Sequence, residues 1–150
     1  AQAGDGVFVT GALGAAMMGF EAARDRTGGD TAAHCRPGAR LAEGRALAPF
    51  VTAMMDVSDG LLLDAARMAA ASEVAIHLDS SAVPIACPPR RRFDALRWGE
   101  DFELLFTLPD GVEPPVPATR IGGIDEGTGI WLDGEDFTGR DGLGYQHHAP

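Results

Sequence analysis

Asp56, Ser58 and Asp59 crowd into one short segment, MMDVSDGLLLD (54–64), between an apolar run and the start of a helical pattern. The first turn of a helix presents N–H groups without intrahelical partners, and one Ser or Asp side chain satisfies one or two of them. Three such side chains exceed that need. In one reading Ser58 or Asp59 is the N-cap and Asp56 is solvated. In the other the segment binds a hard cation: Mg²⁺ takes a few carboxylate oxygens, keeps several waters and is completed by nucleotide phosphates. Asp56 and Asp59 would then hold the metal, while Ser58 and the helix start face phosphate oxygens.

A second acidic segment, WGEDFELLF (98–106), poses a similar choice. Glu100 and Asp101 sit in a turn before an apolar strand in which Glu103 is expected to alternate outward. Glu100 is either solvated or recognises a cationic or amino-bearing substrate, which a net-negative cleft also attracts. GDGVFVTGALG (4–14) leads through a glycine turn from strand to helix, a geometry that favours an anion. It lacks the Gly-Lys-Ser/Thr ending of a P-loop and the Gly-x-Gly-x-x-Gly of a dinucleotide site, so a structural turn is the expectation. His77 is expected on the exposed face of a strand, His147-His148 in a flexible tail, and Arg90–Arg92 in a solvated loop.

The elements that must position these residues follow from periodicity. Val7–Val9 reads as a strand, and Leu13, Ala16, Met17, Phe20 and Ala23 recur at helical spacing after the glycine turn. Gly28-Gly29 ends that helix, Arg36-Pro37 forms a loop, and a second amphipathic helix is predicted over 38–49. Leu61, Ala65 and Met68 share a face of a helix predicted over 60–71, with Asp64 and Arg67 expected to pair on its surface. Strands are predicted near 74–78, 103–108, 119–124 and 129–132. Helices early and between, with strands mostly after them, predict an α+β fold in which a mixed β-sheet is flanked by helices.

Size and charge narrow the function. The 150 residues, 45% of them hydrophobic, suffice for one domain with its own core. The formal charge of −10 opposes nucleic acid and anionic membranes as partners. Apolar stretches are too short for a bilayer span and no signal-like segment opens the chain, so a cytoplasmic location is expected. Cys35 and Cys87 lie far apart with no Cys-x-x-Cys spacing and are expected to be free thiols. The absence of an initiator Met before AQAGDG leads to the expectation that the chain is a piece of a longer one.

GDGVFVTGALG, HCRPGARLAEG, MMDVSDGLLLD, WGEDFELLF and the closing GYQHH, taken in this order and spacing, resemble the C-terminal half of the thiamine-monophosphate kinases. These belong to the superfamily of aminoimidazole ribonucleotide synthetase-like, ATP-dependent enzymes. The resemblance covers nearly the whole chain, with Trp98 where the family usually has Gly and Gly38-Ala39 within its Pro-x-Pro-Arg pattern. It implies transfer of the γ-phosphoryl group of ATP to thiamine monophosphate, giving thiamine diphosphate with Mg²⁺. By position it implies Asp56 and Asp59 as metal ligands, Ser58 as an ATP-phosphate contact, and Glu100 and Tyr145 in the thiamine site. It further implies a missing N-terminal ATP- and Mg²⁺-binding domain and a homodimeric parent, with this chain alone inactive or nearly so. Two other readings stand beside it: a relative with another acceptor, as in selenophosphate synthetase or hydrogenase maturation, and a stand-alone, non-catalytic ligand-binding domain.

Overall fold

A computed structural model describes residues 1–146; His147-His148 lie outside the described residues. The architecture is a seven-stranded mixed sheet in the order β2-β4-β1-β5-β3-β6-β7. The strands are β1 (Gly6–Val9), β2 (Ala53–Asp56), β3 (Ala75–Leu78), β4 (Leu104–Leu108), β5 (Thr119–Asp125), β6 (Gly129–Leu132) and β7 (Glu135–Asp136). All adjacent pairs are antiparallel except β3 with β6. The helices are α1 (Ala15–Asp25), α2 (Ala32–Cys35), α3 (Leu41–Leu47), α4 (Leu61–Ser72) and α5 (Arg92–Arg97), the last preceded by a 3₁₀ turn over Pro89–Arg91. The predicted α+β class, with a mixed sheet flanked by helices, is the observed one.

Strand alternation divides the apolar residues between two cores. Val7 and Val9 on β1 and Leu105 on β4 join Leu61, Leu62, Ala65 and Met68 of α4 in the larger core. Phe8, Phe106 and Leu108 point to the opposite face, where Leu47 of α3 covers them. Phe8 and Phe106 stack with ring centroids 5.5 Å apart. Every side chain of the short β1 strand is therefore buried.

Several expectations change. The helix predicted over 38–49 shortens to α3, because Pro37-Gly38 interrupts the chain and Arg40 is drawn into an ion pair described below. Strand β2 goes unannounced, since Met54 and Met55 lack the β-branched signature and β2 occupies the sheet edge. Arg90–Arg92 is not a solvated loop: Arg91 bonds Glu21 and Asp94, and Arg92 Nη1 donates to the carbonyls of Ser80 and Val83 at 2.7 and 2.6 Å. His77 is partly exposed as expected, with its ring stacked 5.6 Å from that of Trp131. Cys35 and Cys87 are free thiols. Among the described residues, no helix is long and apolar enough to cross a membrane.

Candidate functional site

Three loops converge where β2 ends, and backbone hydrogen bonds tie them together. Val57 N–H donates to Glu103 C=O (2.7 Å), Phe102 N–H to Val57 C=O (2.9 Å) and Glu100 N–H to Ser58 C=O (2.9 Å). The C-terminal segment returns to the same point, with Tyr145 N–H donating to Asp59 C=O at 2.8 Å. Two glycines permit this approach: a Cβ on Gly99 would lie 2.2 Å from Ser58 O, and one on Gly144 would lie 2.2 Å from Asp59 O. Arg97 secures the returning segment by donating from Nε to Gly142 C=O. Tyr145 thus enters the site from far along the chain.

Neither Ser58 nor Asp59 caps α4. The N-cap is Gly60, with φ at 112° and no side-chain capping bond. Asp64, expected on the surface, is fully buried. Its Oδ2 accepts the N–H groups of Ser58 (2.9 Å) and Asp59 (3.0 Å), while Oδ1 accepts from Arg67 Nη1 at 2.8 Å. The predicted Asp64–Arg67 pair is present, but its carboxylate faces inward to shape the loop. Burial pushes the Asp64 carboxyl above its usual range, against the opposing pull of those N–H groups and of Arg67. Arg67 Nη1 also reaches Asp59 Oδ2 at 2.6 Å.

The glycine turn before α1 is structural. Its N–H groups are taken by the chain's own carboxylate, Asp101, whose Oδ2 and Oδ1 accept from Gly14 (2.7 Å) and Ala16 (3.0 Å). Desolvation raises the Asp101 carboxyl, with the Gly14 and Ala16 bonds opposing. Glu103 does not alternate outward; it is buried, accepting from Arg40 Nη2 and Nε (2.6 and 2.7 Å) and from Thr10 Oγ1 (2.7 Å). This bidentate pair joins the 36–40 loop to β4. Glu103→Gln, which keeps one acceptor oxygen but discards the charge and the fork, is expected to lower stability by about 2 kcal/mol, read by urea denaturation.

Ser58, Asp59, Glu100 and Tyr145 line one cavity of about 610 Å³, together with Phe20, His34, Trp98 and Phe102. Its size suits a small organic ligand. Asp56 does not face it: this exposed carboxylate ends β2 and lines a neighbouring, largely apolar cavity with Arg40, Leu41, Arg45 and Leu104. Phe102 lines both. Glu100 (φ 68°) and Phe102 (φ 51°) occupy the left-handed region, a strain tolerated where surrounding structure fixes a functional loop. His34 Nδ1 donates to Glu100 Oε2 at 3.1 Å.

Among the described residues no three His, Cys, Asp or Glu side chains are gathered to hold a metal ion. Asp56 and Asp59 carry the oxygen donors that Mg²⁺ takes, and the ion needs only one or two of them when phosphates and water supply the rest; here the two open on neighbouring cavities, and Asp59 is paired with Arg67. The sequence pattern did not single out His34 or Trp98 as cavity residues, nor Asp64 and Glu103 as supports. Their roles depend on loop contacts that periodicity does not carry. Phe20 has the helical spacing of the α1 core residues but stands half-buried at the cavity wall.

A family model for the AIR synthase related protein, C-terminal domain, matches residues 2–127. The chain belongs to this family. Within the AIR synthase related family, thiamine-monophosphate kinase from Methanospirillum hungatei is 36% identical over 156 residues, an alignment covering 99% of this chain and 51% of the kinase. The solved structure of AaThiL complexed with AMPPCP and TMP is 31% identical with a TM-score of 0.84, covering 97% of this chain and 52% of the other. Escherichia coli HypE, a hydrogenase maturation protein, has the same fold at a TM-score of 0.69 and 22% identity, covering 100% of this chain and 51% of its own. The chain spans about half the length of the curated relatives it matches.

Proposed function

We propose that this chain is the C-terminal half of a thiamine-monophosphate kinase, and that the intact parent transfers the γ-phosphoryl group of ATP to the phosphate of thiamine monophosphate, forming thiamine diphosphate. The observation that carries the reading is the meeting of Ser58, Asp59, Glu100 and Tyr145, from three separate segments, around one ligand-sized cavity. Likeness to AaThiL complexed with AMPPCP and TMP supports both substrates. A N-terminal domain that completes the ATP and Mg²⁺ site, a homodimeric parent and a cytoplasmic location belong to the same proposal.

Phosphoryl transfer is governed by alignment and charge neutralisation more than by a strong base. Asp56 and Asp59 would hold Mg²⁺, which when bound neutralises charge on the transferred phosphate. Ser58 would contact an ATP phosphate beside them. Asp64 fixes the Ser58 and Asp59 backbone, so these side chains enter the reaction from a rigid loop. Glu100 would meet the positive charge of thiamine, and His34 steadies its carboxylate. Tyr145 would offer its ring to the cationic heterocycle.

Calorimetric titration of the 150-residue chain with thiamine monophosphate tests the acceptor. Saturable binding is expected, weakened about tenfold in Glu100→Gln with an unchanged melting temperature, since Glu100 is exposed. No binding would favour a relative with a different acceptor. Equal affinity in the variant would remove Glu100 from the site.

A further inference from the structure

One wall of the cavity is aromatic and comes from elements distant in sequence. Phe20 stands at the middle of α1, His34 on α2 and Trp98 immediately after α5. Phe20 lies 5.3 Å from Trp98, ring centroid to centroid, tilted at 43°, and meets His34 edge-on at 5.4 Å. All three are only partly buried, although α1 and α5 have fully enclosed core positions at Met17 and Leu96. Glu100 and Asp59 supply carboxylates to the same cavity, which Arg97 also lines. Asp59 is paired with Arg67 and Arg97 is tied to the Gly142 carbonyl, so among the described residues Glu100 is the carboxylate nearest the wall without an arginine partner. Large π faces beside carboxylates form a setting for a flat, positively charged ring: the faces attract it by dispersion and by the quadrupole, and the acids attract its charge.

We infer that Trp98 and Phe20 form the ring-recognition wall of this cavity and select a flat, cationic heteroaromatic ligand. The inference rests on the kinase reading for the identity of thiamine monophosphate as that ligand, but not for the chemistry of the wall. Trp98 and Phe20 set affinity for the ring. His34 contributes by holding Glu100 beside the wall.

The chain has two tryptophans, and Trp131 is stacked on His77 in another part of the sheet. In a Trp131→Phe background, Trp98 fluorescence therefore reports on the wall alone. Thiamine monophosphate is expected to quench it. Calorimetry should show about tenfold weaker binding in Trp98→Leu, with most affinity restored in Trp98→Phe and a parallel loss in Phe20→Leu. A second probe, 1-methylnicotinamide, carries a flat cationic ring and no phosphate; neutral nicotinamide is its control. Binding of 1-methylnicotinamide that depends on Trp98, without binding of thiamine monophosphate, would retain the wall and reject the kinase reading. Unchanged affinity for thiamine monophosphate in folded Trp98→Leu and Phe20→Leu would overturn the wall, as would failure of wild type to bind either cation.

Discussion

Asp64→Ala is expected to lower the unfolding free energy by about 3 kcal/mol, the loss expected when one partner is removed from a buried, hydrogen-bonded charge pair. In a domain of this length that shifts the melting temperature by roughly 10 °C. The substitution orphans the N–H groups of Ser58 and Asp59 and leaves a void under the first turn of α4. Arg67, on the surface, can return to water and retains Asp59, which limits the damage on that side. Differential scanning calorimetry of both chains measures the effect. The loop also loses its fixed shape, so hydrogen exchange at Ser58 and Asp59 should accelerate while the β1 amides stay protected.

The pH dependence of that difference has a definite sign. Asp64 titrates above the usual 3.8 because it is buried, so in the window just above 3.8 the native chain holds a proton that the unfolded chain has released. Its contribution to stability therefore falls as pH rises through that window and grows as pH drops back. The gap between wild type and Asp64→Ala should consequently be larger at pH 4.5 than at pH 7.5. A gap that shrinks on acidification would mean that the N–H groups and Arg67 outweigh burial at this carboxyl.

The other large effect is on chemistry. In the proposed parent, Asp56→Asn and Asp59→Asn are each expected to lower kcat by at least about a hundredfold, since each removes charge that phosphoryl transfer requires. Folding should barely change: Asp56 is exposed at the end of an edge strand, and Asp59 keeps its backbone bonds to Asp64 and Tyr145. The contrast is diagnostic. Asp64→Ala loses stability and activity together, whereas Asp56→Asn and Asp59→Asn lose activity in a chain that melts normally. Rates near wild type in both asparagine variants would place the metal elsewhere.

The fold class was legible because strong periodicity survives in the elements that carry the core. Leu61, Ala65 and Met68 announce α4, and Val7–Val9 announces β1. Edge strand β2 was not legible, since two methionines carry no strand signature. The density of acids drew attention to Asp59 and Glu100, which line the cavity, and to Asp56, which lines the neighbouring one, but the division of labour among carboxylates was hidden. Asp64, Asp101 and Glu103 had the appearance of surface or turn residues. Each is instead a support, one ordering the 58–59 loop, one capping α1, one clamping Arg40. Such roles depend on which backbone N–H or guanidinium arrives from elsewhere in the chain, and local spacing says nothing of that. The aromatic wall was hidden for the same reason, because Phe20, His34 and Trp98 meet only in the folded chain.

Product analysis tests the proposed phosphoryl transfer. The full-length parent, incubated with Mg²⁺, thiamine monophosphate and ATP labelled in the γ-phosphate, is separated chromatographically alongside its Asp59→Asn variant. Label is expected in thiamine diphosphate, one for each ADP formed, and almost none with the variant. ATP consumed without labelled thiamine diphosphate, or equal labelling by both proteins, would contradict the proposed transfer.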